Sequence, residues 1–280
     1  MNEVLRTLIY GGQVSLTLIN ATELAREGAK RHALSQASAR AFGRALAVMT
    51  YMSACLKNER GEISLALRCD GGAEEICISG NHALFMRGYI GNTNLTENEE
   101  MRALGENGTL TIIRDDGYRR PFVGSCALPS ERDIDKAFEE YYRISEQLPT
   151  RIATTAICDE KGELLFVGAA VVQPLPFADE QTIEKVQNLQ LNGLLSAVQA
   201  QGCASAANAY FDAFEAWETR GAAYRCNCSR EYLTRVLVSL GEQQLRAVIQ
   251  EDGEVKVHCH YCNTDYAFTE EDADKLFPRR

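Results

Sequence analysis

Cys226 and Cys228 stand one residue apart and Cys259 and Cys262 two apart, with thirty residues between the pairs. Two short loops that each offer two sulfurs can close a tetrahedral four-thiolate site around one ion, and zinc is the metal that suits this donor set. The second pair has the spacing of a zinc knuckle. The first is tighter, and such a pair of neighbouring thiols is also suited to oxidation. Polar neighbours (Asn227, Ser229, His258, His260, Asn263) argue against four cysteines that serve only as small buried apolar residues. The expected metal ligands are therefore Cys226, Cys228, Cys259 and Cys262, holding one Zn2+ per reduced chain. His258 and His260 flank the second pair. They are alternative ligands or, preferably, groups that hydrogen-bond to the thiolates, because four sulfurs already complete the site.

These cysteines need elements to position them. Ser229 suits a helix N-cap and opens a helical stretch through Val238. Gly241 separates a second helix, 242–250, and 255–258 reads as a strand that returns the chain to the second pair. Residues 222–280 thus read as a small zinc-binding domain with few large apolar side chains, and the tight first cysteine pair hints at redox use. So weak a core must draw much of its folding free energy from the ion, roughly 10–16 kcal/mol for structural zinc sites. Without the metal, the module is expected to unfold.

Upstream, residues 1–177 read as an α+β core domain with a largely antiparallel sheet, the part that would bind substrate if the family resemblance given below holds. Residues 3–20 form a hairpin around Gly11-Gly12. A short helix is expected over 21–31. A clear one covers 36–57, capped by Ser35, with Phe42, Leu46, Met49, Ser53 and Leu56 on one stripe and many small residues elsewhere. Strands follow through 62–127, then a helix over 131–147 with Ile134, Phe138 and Tyr141 or Tyr142 inward, then a hairpin over 152–172. Strands in runs without a βαβ rhythm argue for this class, and Pro174 and Pro176 close it. Residues 178–221 read as a helical linker. One helix is expected over 179–200, starting near Asp179. A second, over 204–219, would carry Tyr210, Phe214 and Trp217 as an aromatic stripe, with Phe211 beside it, docked on the sheet domain.

Composition narrows the function. The 280 residues are 45% hydrophobic and 24% charged, ordinary for a globular chain, and the net charge of -10 disfavours non-specific nucleic-acid binding. Neither a signal peptide nor a membrane-length apolar run is read, so the cytoplasm is the expected compartment and no membrane partner is expected. There, ten cysteines stay mostly reduced, which favours metal or redox roles. Cys55, Cys69, Cys77, Cys126, Cys158 and Cys203 lie among apolar neighbours and read as small buried hydrophobes. A Cys69–Cys77 bridge across one turn is possible in principle but disfavoured by the compartment. No glycine-rich phosphate loop opens a helix. Two rival classes fit the sequence less well. A zinc-ribbon nucleic-acid module is disfavoured by ten acidic against seven basic residues in 226–280. A thiol–disulfide oxidoreductase would want its two-cysteine motif opening a helix in a thioredoxin-like unit, whereas Cys259 follows a strand.

The chain resembles the redox-regulated heat-shock chaperonin family, the thirty-three-kilodalton chaperonins of bacteria, over nearly its whole length. The resemblance rests on Arg225-Cys-Asn-Cys-Ser-Arg-Glu231, Ile249-Gln-Glu-Asp-Gly253 and Cys259-His-Tyr-Cys-Asn263, with Glu27-Gly-Ala-Lys-Arg-His32, Gly108-Thr-Leu110 and Ser145-Glu-Gln-Leu-Pro149 in support. It implies a holdase without catalytic residues or enzyme activity, which binds unfolding client proteins without ATP. It further implies that the reduced, zinc-bound form is inactive. Oxidation to Cys226–Cys228 and Cys259–Cys262 disulfides would release zinc, unfold the module and linker, and yield an active homodimer. Thiolates are the form that oxidants attack, and a sulfenic acid would find a partner one or two residues away. Two consecutive trans peptides span up to roughly 7 Å between Cα atoms, so the Cys226–Cys228 bridge is reachable but strained. A strained bridge is readily reduced, which suits a reversible switch.

Overall fold

The computed structural model describes residues 2–100, 102–211 and 216–277, with the backbone alone at 216 and 217. It has two compact units, one ending at Arg225 and the other beginning at Cys226.

The first unit opens with a hairpin of β1 (Glu3–Ile9) and β2 (Val14–Asn20). Its turn holds Gly11 at φ 64° and Gly12 at φ 85°, values that glycine adopts without a Cβ penalty. Next come α1 (Thr22–Arg31) and α2 (Gln36–Ala54). The Ser35 side chain accepts the Ser38 amide at 3.3 Å, so the expected cap forms. The single stripe expected on α2 is too narrow. Ala39, Ala41, Ala45 and Ala47 are buried along with Phe42, Leu46 and Met49, so the helix is covered almost all round. Small side chains let neighbours close in from every side: a Cβ on Gly43 would meet Val167 at 3.3 Å.

Further strands are β3 (Glu62–Cys69), β4 (Glu75–Asn81) and β5 (Phe85–Ile90). After the short α3 (Glu97–Glu100) come β6 (Gly108–Asp115) and β7 (Phe122–Ala127). Then α4 (Ile134–Tyr141) runs into a π-helical turn over Tyr142–Glu146, with Ile134, Phe138, Tyr141 and Tyr142 all buried as expected. The hairpin of β8 (Arg151–Cys158) and β9 (Leu164–Pro174) follows. Register places Cys77 opposite Ala66, on the face of β3 that Cys69 does not share, so the two thiols cannot bridge.

The linker stretch contains α5 (Glu180–Asn188), α6 (Leu191–Gln201) and α7 (Cys203–Tyr210), then β10 (Ala216–Arg220) and β11 (Ala223–Tyr224). Asp179 caps α5, accepting the Thr182 amide at 2.7 Å. The single helix expected over 179–200 is two helices. Arg151 donates to the carbonyls of Val186, Gln187 and Leu189 at 2.6, 2.8 and 3.0 Å, which draws the end of α5 out of helical bonding. The helix expected over 204–219 stops at Tyr210, because 216–220 pairs instead with the edge of β1. Phe211 is buried against Tyr10, edge to face, with ring centroids 5.7 Å apart, while Tyr210 is exposed. Phe214 and the Trp217 side chain lie outside the described residues.

Two sheets result, ordered β10-β1-β2-β9-β8 and β11-β5-β4-β3-β6-β7, antiparallel except for β11 beside β5. Alpha helix α2 packs on strands of both. The five-stranded sheet is buried on its two faces. Val167, Ala169 and Val171 of β9 join the core around α2, whereas Phe166, Ala170 and Val172 join Val186, Leu194, Leu195, Val198 and Cys203 from α5–α7. Burial on both faces explains why β9 reads as a nearly continuous apolar run rather than an alternating one.

The second unit contains α8 (Arg230–Leu240), α9 (Glu242–Asp252), the hairpin β12 (Val255–Cys259) and β13 (Thr264–Phe268), and α10 (Glu270–Leu276). Its core is small: Leu237, Leu245, Ile249, Phe268 and Ala273. The architecture is α+β, with antiparallel sheets and a small C-terminal cysteine module, as the pattern of strands and thiols indicated.

Candidate metal centre

Two local structures bring the thiols together. Cys226 and Cys228 precede α8, whose first turn is closed by Ser229 accepting the Tyr232 amide at 3.1 Å. Cys259 ends β12, and the amides of Cys262 and Asn263 both donate to its carbonyl, at 3.3 and 2.8 Å. Asn263 takes a left-handed φ of 53°, a conformation its short amide side chain tolerates. The tight loop between β12 and β13 therefore aims both of its sulfurs the same way.

The four sulfurs lie within 4.8 Å of one another. Cys226 and Cys259 are 3.8 Å apart, and Cys228 and Cys262 3.2 Å. A tetrahedral ion with bonds of about 2.3 Å to sulfur needs its ligands about 3.8 Å apart, so the donor set and its spacing fit such an ion. Thiols this close resist joint ionisation unless a cation sits among them. Burial pushes the Cys226 thiol well up and the Cys262 thiol up to about 11. Burial also opposes ionisation of Cys228, but hydrogen bonds from Tyr266 and then from the neighbouring sulfurs outweigh it and lower that thiol to about 7.

Sequence reasoning missed two contributors. The Tyr266 hydroxyl lies 3.4 Å from the Cys228 sulfur, and Thr264 Oγ1 lies 3.3 Å from that of Cys262. Both belong to β13, and their alternation with Asp265 was the available signal. His258 and His260 are not in the sulfur cluster. His258 Nδ1 meets Asp265 Oδ1 at 2.7 Å instead. The other six cysteines are dispersed through the first unit as buried or half-buried thiols, and burial raises the pKa of every one, Cys126 to about 11.

Comparison with known proteins shows the family to which the chain belongs. The family described as Hsp33 protein matches residues 2–269. The 33 kDa chaperonin of Bacillus cereus (strain B4264) is 30% identical over 98% of this chain and 97% of its own length, and that of Bacillus anthracis (strain CDC 684) shows the same identity and coverage. The crystal structure of the 33 kDa chaperonin from Thermotoga maritima superposes with a TM-score of 0.84 at 24% identity, covering 98% of this chain and 97% of that one. With a family match across both units and near-complete coverage of its relatives, the chain belongs to the Hsp33 family of chaperones.

Proposed function

We propose that this chaperone is a redox-regulated holdase that keeps thermally unfolding or oxidatively damaged proteins from aggregating without ATP. The observation that carries the reading is the cluster of four sulfurs within 4.8 Å in a unit with so small an apolar core. Its clients are unfolded proteins, as the family implies, and the family is one of chaperones rather than enzymes. Cys226, Cys228, Cys259 and Cys262 are the proposed ligands of one zinc ion, which when bound supplies positive charge that keeps the sulfurs as thiolates and cross-links the unit. Among the described residues no helix is long and apolar enough to cross a membrane. The proposed compartment is the cytoplasm, where the resting state is reduced.

Oxidation removes the ligand set. A thiolate oxidised by peroxide to a sulfenic acid is attacked by a neighbouring thiolate, forming the S–S bond and expelling hydroxide, which takes a proton from solvent to become water. Once the unit loosens, Cys226 keeps Cys228 near, and Cys259 keeps Cys262, because one or two residues join them. The cross pairs, 33 and 34 positions apart, drift away. The proposed disulfides are the ones that the family resemblance implies, Cys226–Cys228 and Cys259–Cys262, a pairing that these short separations favour, and the proposed active form is the oxidised homodimer. The test is peroxide treatment followed by zinc analysis and disulfide mapping. Zinc released in step with those two disulfides supports the reading. Zinc fully retained after the four thiols are oxidised overturns it.

A further inference from the structure

The hairpin that carries Cys259 and Cys262 has a second face. Alternation along β12 sends Cys259 to the sulfur cluster and leaves His258 exposed. His258 stands opposite Asp265 in the register of β12 and β13. Its Nδ1 meets Oδ1 of that carboxylate at 2.7 Å. That contact occupies Nδ1 and leaves Nε2 on the far side of the ring from the carboxylate. The His260 ring lies beside it, with centroids 4.8 Å apart.

That separation has a chemical meaning. An imidazole bound at about 2.0–2.1 Å puts its ring centroid about 3.2 Å from the ion, so two rings sharing one ion at roughly 90–110° stand about 4.5–5.2 Å apart. A carboxylate on the far nitrogen is the usual partner of a metal-bound histidine, fixing its tautomer and aim. Paired imidazoles suit zinc, copper and nickel. The four sulfurs complete a tetrahedral set by themselves and do not draw on these rings.

We propose that His258 and His260, with Asp265 orienting His258, form a second site for a divalent transition metal on the outer face of the hairpin. With two protein ligands and water completing the shell, it is weaker and more exchangeable than the sulfur site. The proposal does not depend on the redox reading, since it concerns the reduced, zinc-loaded chain.

The test is titration of Ni2+ into the reduced, zinc-loaded full chain, with binding followed by calorimetry, zinc retention by elemental analysis and the imidazoles by NMR. The expected result is one nickel taken up without loss of zinc, with the His258 and His260 ring signals perturbed. His258→Asn with His260→Asn is expected to weaken uptake at least tenfold while keeping zinc, which also reports that the unit is folded. Asp265→Asn is expected to weaken it several-fold. Of the four histidines, His32 and His82 remain in the double variant as the internal background. Nickel uptake unchanged in the double variant, or nickel that enters only as zinc leaves, overturns the site. Unchanged uptake in Asp265→Asn overturns the role given to that carboxylate.

Discussion

At the scale of single residues, the sulfur cluster is a problem of charge as much as of geometry. Cys228 is drawn toward the thiolate by Tyr266 and its sulfur neighbours, while burial holds Cys226 and Cys262 toward the thiol. A bound cation resolves that conflict, because it compensates all four sulfurs together. Removing one sulfur leaves three ligands and an open position, which is the arrangement of an exchangeable site rather than a structural one. The expected outcome is one zinc per reduced wild-type chain and affinity at least tenfold weaker when Cys228 is changed to Ser, measured by competition with a chromogenic chelator. Full retention of tightly held zinc by that variant would remove Cys228 from the ligand set. The four ligand candidates were legible in the sequence because close-paired cysteines with polar neighbours have few other uses. Tyr266 and Thr264 were not, because a tyrosine and a threonine on a short strand look the same whether they face a sulfur or a packed side chain.

At the scale of elements, most of the first unit was legible, and the failures share a cause. The hairpins, the Ser35 and Asp179 caps and the inward face of α4 follow from residues close in sequence. The break between α5 and α6 depends on Arg151, thirty-five positions before Val186, and the strand at 216–220 depends on β1, more than two hundred residues away. No local periodicity carries such information, so an aromatic spacing that suits a helix was overridden by a free strand edge. The same distance makes Arg151 worth testing. It satisfies three carbonyls at one helix end, and their loss of a donor is expected to cost about 1–3 kcal/mol on changing Arg151 to Ala. Denaturant melts of the reduced protein measure this, and a change within error of zero would show that water replaces the guanidinium. The helices so held cover the outer face of the five-stranded sheet. A chain ending at Arg225 is therefore expected to keep the core around α2 folded and indifferent to chelators. One ending at residue 177 should expose Leu5, Leu16, Leu18, Phe166 and Val172 and bind a hydrophobic dye. Equal dye binding by the chain ending at residue 177 and the reduced full chain would mean that α5–α7 do not protect that face.

At the scale of the whole molecule, the two units have different claims to stability. The first has a core around α2 and a second one beneath α5–α7, and neither includes the candidate metal site. Among the described residues the core of the second is a cluster of five buried side chains, and the unit depends, on the proposed reading, on ligation by its four thiolates. A condition that removes those thiolates therefore unfolds the second unit and leaves the core around α2 folded. In the proposed mechanism that loss is transmitted to α5–α7, and the protected face under them becomes available. Each large aliphatic or aromatic side chain uncovered there offers roughly 1.5–3 kcal/mol of potential contact to a client. Leu5, Leu16, Leu18, Phe166 and Val172 together exceed the scattered apolar exposure usual on a soluble monomer. Exposure on that scale predicts self-association as well as client capture, because a second copy carries the same apolar face. Oxidised protein is thus expected to bind a hydrophobic dye, to sediment as a dimer and to keep a heat-unfolding client in solution without ATP. Reduced, zinc-loaded protein is expected to do none of these, and reductant with zinc should restore that state. Light scattering of a thermally unfolding client, with sedimentation of the chaperone alone, measures each of these outcomes. Equal protection by the reduced and oxidised forms would remove the redox switch and leave the chaperone, since the sheet face beneath α5–α7 would then have to be reached without any change at the sulfurs.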